Sequence, residues 1–227
     1  MDRIFILGTT KYSFMLHSMI EEEGQYQIIG HTVSRKYLEN NYRICNDNEA
    51  KLYPLEHLKK YVNVNEKVKV LNTIGYTEMN QVRQRLFDEC EKLGYESVNF
   101  VSSHALVFSN LIGKGNIILP GAYIGTNVNM GNNNVFYTGC VMTHDIEIGD
   151  NNFIAANVTV GGEVKIGNNC FVGMGAVLKN RITVKDFCLI GAATYLSQNL
   201  EREKVIVPPK SIVIEKKSIE MNLTPKQ

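Results

Sequence analysis

The sequence predicts a small parallel α/β sheet followed by a three-sided coil of short parallel strands. Three observations carry this: apolar runs alternate with helical patterns over residues 1–99, an apolar residue stands at every sixth position from Phe100 to Leu196, and Gly, Asn or Asp follows many of those positions. With 227 residues, 44% apolar and 21% charged, the chain suits one or two folded units. Twenty-four basic against 23 acidic side chains leave a formal charge of +1, so no strong field draws it to nucleic acid or to an anionic membrane. No run approaches the roughly 18 apolar residues of a bilayer span. The start, MDRIFILG, breaks into a turn too early for a secretory leader, and a cytoplasmic protein is expected. Five cysteines without a CxxC pair read as reduced packing residues, not as a disulfide framework or zinc site.

Taken in order, RIFILG (3–8) reads as a strand, residues 12–22 as a helix and YQIIGHTV (26–33) as a second strand. A short helix near 55–61 precedes strand KVKVLNTIG (67–75), helix EMNQVRQRLFDECEKLG (78–94) and strand ESVNFVS (96–102). Such alternation implies a parallel sheet with ligands beyond the carboxyl ends of its strands, here Gly8–Ser13, His31–Ser34 and Gly75–Asn80. The turn GTTKYS lacks GxGxxG, which argues against a dinucleotide-dependent dehydrogenase, but offers a phosphate cradle at a helix start. Expected substrate contacts are Gly8, Thr9, Thr10, Lys11, Ser13, Thr32, Gly75 and Tyr76, with Thr77, Asn80 and Arg83 lining the same crevice. His17 and His57 lie on helices and read as ordinary packing or face residues.

From Phe100 onward, all seventeen landings at steps of six are apolar. Small or aliphatic side chains recur four residues after the landing, which assigns Cys140, Cys170 and Cys188 to packing. Six-residue segments with one inward aliphatic each describe a triangular prism of about five coils, 18 residues to the coil, stacked about 4.8 Å apart. Glycines after the landings, among them Gly113, Gly125, Gly131, Gly161 and Gly173, are expected to take the left-handed corners. The phase is expected to run unbroken from Phe100. Residues 1–99, 100–200 and 201–227 are the expected α/β domain, prism and tail.

The start RIFILG, HTVSRKYL (31–38), IGYTEMNQVR (74–83), FVSSHALV (100–107) and above all THDIEIGDNNFIAANVTVGGEVKIGNNCFVGMGAVL (143–178) make the chain resemble the NeuD/PglD-like hexapeptide-repeat sugar acyltransferases. These include sialic-acid O-acetyltransferases and nucleotide-amino-sugar N-acetyltransferases. The resemblance covers nearly the whole chain. It implies a nucleotide-sugar-binding, Rossmann-like domain, a left-handed parallel β-helix, a homotrimer, and transfer of acetyl from acetyl-CoA to a nucleotide-linked amino sugar, a 4-amino-4,6-dideoxy sugar by expectation, in bacterial surface-glycan or lipopolysaccharide O-antigen biosynthesis. Where many relatives carry a second histidine near the acyl donor, this chain has Phe153, and REKVIVPPKSIVIEKK replaces their glycine-rich tail.

His144 follows the inward Met142 by two residues, so its ring should leave the prism. Imidazole suits proton removal from an attacking amine near neutral pH, and in the family's motif this histidine is the catalytic base. Asp145 would orient the ring. Gly162, 18 residues on, should stack over His144, where the family places its oxyanion donor. Phe153, Gly173, Gly175, Gly191 and Ala192 are the expected acetyl-CoA contacts.

A carbonic-anhydrase-like zinc enzyme would need three converging histidines; the prism has His104 and His144, 40 residues apart and out of stacking register, so no metal is expected. His104 reads as structural. The same residues would also suit an O-acetyltransferase using the same base, or a binding scaffold without catalysis.

Overall fold

A computed structural model of the protein describes residues 1–39, 50–110, 112–215 and 217–220. The first part is a five-stranded parallel sheet. Its strands are β1 (Asp2–Leu7), β2 (Tyr26–Val33), β3 (Leu52–Pro54), β4 (Lys69–Asn72) and β5 (Glu96–Ser97), in the order β3-β2-β1-β4-β5. Its helices are α1 (Lys11–Glu23), α2 (Arg35–Glu39) and α3 (Gln81–Lys92). The segment expected as a helix near 55–61 is a 3-10 helix, Leu55–Tyr61. Helix α3 starts three residues later than its pattern indicates, because Glu78, Met79 and Asn80 all have positive φ and form a left-handed turn. Among the described residues no helix is long and apolar enough to cross a membrane.

The second part is a prism with three parallel faces. The first has seven strands, from Phe100–Val101 to Val205–Ile206; the second six, from Leu106–Val107 to Tyr195–Leu196; the third four, from Asn129–Met130 to Thr183–Val184. Partners such as Met142 and Val160, or Ile154 and Val172, are 18 residues apart, so each side chain stands over its counterpart one coil earlier. The landings from Ile118 to Leu196 are buried in one core with Ala122, Val128, Cys140, Val158, Val164, Cys170 and Cys188. Burial pushes the thiols of Cys140 and Cys170 up to about 12, as for inert packing residues.

The phase is not unbroken. In the first coil Val101 and Val107, one residue later than the landings, pair with Ile118 and Ile124 and meet the core. Phe100 turns outward into the α/β layer, and Leu106 is 60% exposed. The span 96–102, expected as one strand, therefore splits: Glu96–Ser97 closes the sheet and Phe100–Val101 opens the prism. The prism also runs past residue 200, since Val205–Ile206 pairs with Leu189–Ile190.

The corners differ from expectation as well. Left-handed φ falls three residues after the landing, at Asn127, Asn133, Asp145, Asn151, Asn157, Glu163 and Asn169 and at Gly115, Gly121, Gly139 and Gly175. The glycines right after the landing answer a different need: a Cβ on Gly125 would overlap the carbonyl of Thr143 in the next coil. Inside one corner an asparagine ladder closes the backbone: Asn116 Oδ1 accepts from Asn134 N–H and Asn134 Oδ1 from Asn152 N–H, both at 2.8 Å, and Asn152 Oδ1 accepts from Cys170 N–H at 2.7 Å.

The first face is covered by the α/β layer. Ile4, Ile6, Leu16, Ile20 and Leu71 share a core with Phe100, Ile117, Leu119, Val135 and Phe153. Polar anchors fix the angle. Asn80 Nδ2 donates to Cys170 O at 2.9 Å, and Arg83 Nη2 donates to Asn152 O at 2.9 Å. Asn80 and Arg83, expected in a ligand crevice, are both fully buried in this joint. Burial draws the Arg83 guanidinium down to about 10, so it stays a cation at neutral pH.

Asn152→Ala removes the acceptor for Cys170 N–H and the donor to Gly167 O. A buried amide left unpaired costs roughly 2 kcal/mol. Urea unfolding followed by circular dichroism should show that loss, and an unchanged midpoint would contradict the ladder's role.

Candidate functional site

His144 sits on the corner between the second and third faces, and its side chain is 54% exposed. Its Nδ1 lies 2.8 Å from Asp145 Oδ2. Asp145 occupies a left-handed corner position, φ 54, and its other oxygen accepts from Asn127 Nδ2 at 3.0 Å. Asn127 stands one coil below, 18 residues earlier, so the stacking rule that pairs His144 with Gly162 also finds it. The hydrogen bond from His144, then that from Asn127, lowers the Asp145 carboxyl below an ordinary aspartate. Asp145 thus stays an acceptor at neutral pH, which puts a hydrogen of His144 on Nδ1 and turns Nε2 away from the carboxylate.

Gly162 lies against this ring, as its spacing requires. A Cβ there would come within 2.6 Å of His144 Nε2, so only glycine leaves room for the imidazole. Of the amides at this corner, Gly161 N–H donates to Leu178 O and Glu163 N–H to His144 O. The Gly162 N–H has no acceptor among the described residues. The exposed His144 ring and the buried Gly162 amide therefore stand side by side at this corner.

The expected acyl-donor residues lie elsewhere on the prism. Phe153, Gly173 and Ala192 line a cleft of about 410 Å³ on the first face and its corner with the second, together with Tyr76, Tyr137 and Phe171. Tyr76, expected with the nucleotide sugar, projects from the turn before α3 and meets Phe153 edge-on at 5.1 Å and Phe171 at 4.8 Å. Two expected members are absent from the lining: Gly175 is a left-handed corner, and a Cβ on Gly191 would strike Val207. Within one chain His144 and this cleft occupy opposite edges of the second face.

At the carboxyl end of β1 the cradle is partly spent. Gly8 N–H donates to Thr32 O, and its φ of +130 leaves no space for a Cβ beside Ser13 and Thr73. Ser13 is buried, bonding Thr10 in a capping box and Thr73 Oγ1 at 2.8 Å. Thr32 is buried and donates to Tyr53 O. Gly8 and Ser13, expected in the phosphate cradle, and Thr32, expected as a substrate contact, have their polar groups engaged within the protein, and Thr9, Thr10 and Lys11 remain accessible. Gly75 has open space around it. His104 is exposed near Glu23, whose carboxylate accepts from Ser102 Oγ and Ser103 N–H.

No protein-family model matches the chain, and no curated protein is similar to it in sequence. Solved structures match it in shape. A perosamine N-acetyltransferase from Caulobacter crescentus, in complex with CoA and GDP-perosamine, superposes with a TM-score of 0.77 at 19% identity, over 90% of this chain and 93% of that one. The acetyltransferase domain of PglB from Neisseria gonorrhoeae, in complex with acetyl coenzyme A, gives 0.75 at 15% identity over 89% and 94%. WeeI from Acinetobacter baumannii gives 0.74 at 16% over 91% and 97%. The chain therefore has the fold of these proteins, a Rossmann-like α/β layer followed by a left-handed parallel β-helix.

The Asp145 carboxyl should titrate below a free aspartate in carbon-detected NMR and move up in His144→Ala. An Asp145 midpoint unmoved by that substitution would show that the pair does not exist in solution.

Proposed function

We propose that the protein is an acetyl-CoA-dependent N-acetyltransferase acting on a nucleotide-linked amino sugar of the 4-amino-4,6-dideoxy type, working as a cytoplasmic homotrimer in bacterial surface-glycan assembly. The observation that carries this reading is the exposed His144 ring, held at Nδ1 by Asp145, against Gly162, whose N–H has no acceptor among the described residues. The fold shared with acetyltransferases that bind CoA, acetyl-CoA and GDP-perosamine supports the substrate classes.

In this reading the sugar amine attacks the thioester carbonyl while His144 Nε2 takes its proton. Asp145 stabilises the imidazolium, and the Gly162 N–H donates to the developing oxyanion. Collapse breaks the carbon–sulfur bond, and the proton held by His144 passes to the departing thiolate. The charge balance closes without a metal. Thr9, Thr10 and Lys11 are assigned to the diphosphate, and Phe153, Gly173 and Ala192 to the acyl end of acetyl-CoA.

The assembly follows from which faces are covered. The first face lies under the α/β layer, and the third presents Asn129, Glu147 and Lys165. The second face presents Tyr123, Val141, Val177 and Tyr195, of which Tyr195 is 63% exposed, with exposed Leu106, Phe108 and Met174 at its ends and edge. Turned toward a threefold axis, this apolar face would be buried, and its His144 edge would meet the cleft edge of the next copy. Three such contacts close a ring with a base and an acyl cleft at every junction.

His144→Ala should cut CoA release from acetyl-CoA with an amino-sugar nucleotide by about 10²-fold or more while both substrates still bind. Turnover near that of the unmodified protein would overturn the mechanism. Tyr195→Asp together with Val177→Asp should shift the sedimentation coefficient from trimer to monomer, and an unchanged trimer would mean that a different face forms the interface.

A further inference from the structure

The column of corner residues beside the proposed base contains a glutamate to which no role has been given. Asn127, Asp145, Glu163 and Arg181 stand at steps of 18 along the edge between the second and third faces, all with left-handed φ. From Gly115 to Gly175 every other left-handed corner is Gly, Asn or Asp, the residues that take this conformation at least cost, and Glu163 is the one exception. Glu163 directly follows Gly162, and its N–H donates to His144 O at 3.1 Å. Its carboxylate is therefore carried by the residue next to the Gly162 amide, one coil from the imidazole.

One oxygen of that carboxylate is taken. Arg181, one coil above, donates to Oε1 from Nε at 3.0 Å and from Nη2 at 2.9 Å. The other oxygen, Oε2, has no partner among the described residues, and the side chain is 49% exposed. Asp145, one coil below, is engaged on both sides, by His144 Nδ1 at Oδ2 and by Asn127 Nδ2 at Oδ1. Of the two carboxylates flanking His144 and Gly162, Glu163 is thus the one with an oxygen left to accept from a bound molecule.

We propose that Glu163 is a specificity residue for the acceptor, its Oε2 accepting one hydrogen of the attacking amine while His144 takes the other. The assignment rests on the reading of the protein as a sugar N-acetyltransferase, and the count of hydrogens makes the distinction. A neutral primary amine carries two: one leaves to His144 Nε2 as nitrogen bonds the carbonyl carbon, and the other stays on nitrogen, donated to Oε2. A hydroxyl carries one. With that hydrogen turned to His144, only lone pairs remain to meet Oε2, and two acceptors in contact repel. Glu163 keeps its charge throughout, since the proton leaves through His144 to the departing thiolate.

CoA release from acetyl-CoA tests this with UDP-, dTDP- and GDP-linked 4-amino-4,6-dideoxyhexoses, each beside the 6-deoxyhexose that has a hydroxyl at the same carbon. The unmodified protein should prefer the amine. Glu163→Gln, which sets an NH2 donor or a neutral oxygen where the carboxylate stood, should lower the amine-to-hydroxyl ratio of kcat/KM about tenfold or more. Glu163→Asn should do the same, and it keeps the coil intact because asparagine already serves the corners at Asn127 and Asn157. If both variants slow amine and hydroxyl alike and leave the ratio unchanged, Glu163 is a structural corner residue and the assignment is overturned, with N-acetyl transfer untouched. No release with any amine from the unmodified protein, or faster release with a hydroxyl, would overturn the N-acetyltransferase reading and this assignment with it.

Discussion

Everything in the prism depends on one constraint: each coil must place its residues directly over those of the coil before. Parallel pairs 18 residues apart set that repeat, and it is so close at the corners that a Cβ on Gly125 has no room beneath the next carbonyl. Side chains at a corner therefore meet partners one coil away as a matter of geometry. The same rule makes the Asn116, Asn134 and Asn152 ladder inside and the Asn127, Asp145 contact outside. It also presses Gly162 against His144, so an imidazole and an amide come together without any loop to hold them.

The α/β layer is joined to this rigid column through an apolar core shared with the first face and through Asn80 and Arg83 at the asparagine corner. A buried guanidinium with one carbonyl partner, 5.8 Å from the Phe153 ring, is costly, so this contact fixes the angle of the joint and adds little net stability. The left-handed turn at Glu78–Asn80 carries Tyr76 from the end of the sheet onto the cleft. Backbone strain of that kind is commonly found where a side chain must be aimed. The turn at Gly8 and the cleft at Phe153 are thereby set at fixed places on one body.

Much of this was legible because a prism repeats. One inward residue per side writes a period of six into the sequence, and the 18-residue coil brings His144 to Gly162 on spacing alone. The phase slip was not legible: Phe100 and Val101 are both apolar, and only the need of the α/β layer for Phe100 decides which one turns inward. Arg83 looks like any helix-face arginine until the asparagine corner is seen to receive it. Likewise His17 Nδ1 and His31 Nε2 meet at 2.8 Å from different elements, and no local pattern pairs them. The cleft joins residues of four coils to Tyr76, whose path depends on three non-glycine residues in left-handed conformations.

The central claim is that the base of one copy serves the acyl cleft of the next. Coexpression of two inactive variants, His144→Ala and a cleft-blocked Ala192→Trp, tests it through CoA release with an amino-sugar nucleotide. Each variant alone should be silent. Mixed trimers should recover turnover, because one junction in each pairs an intact His144 with an intact cleft. Mixtures that stay as inactive as the separate variants, with mixed trimers confirmed by mass, would contradict the account.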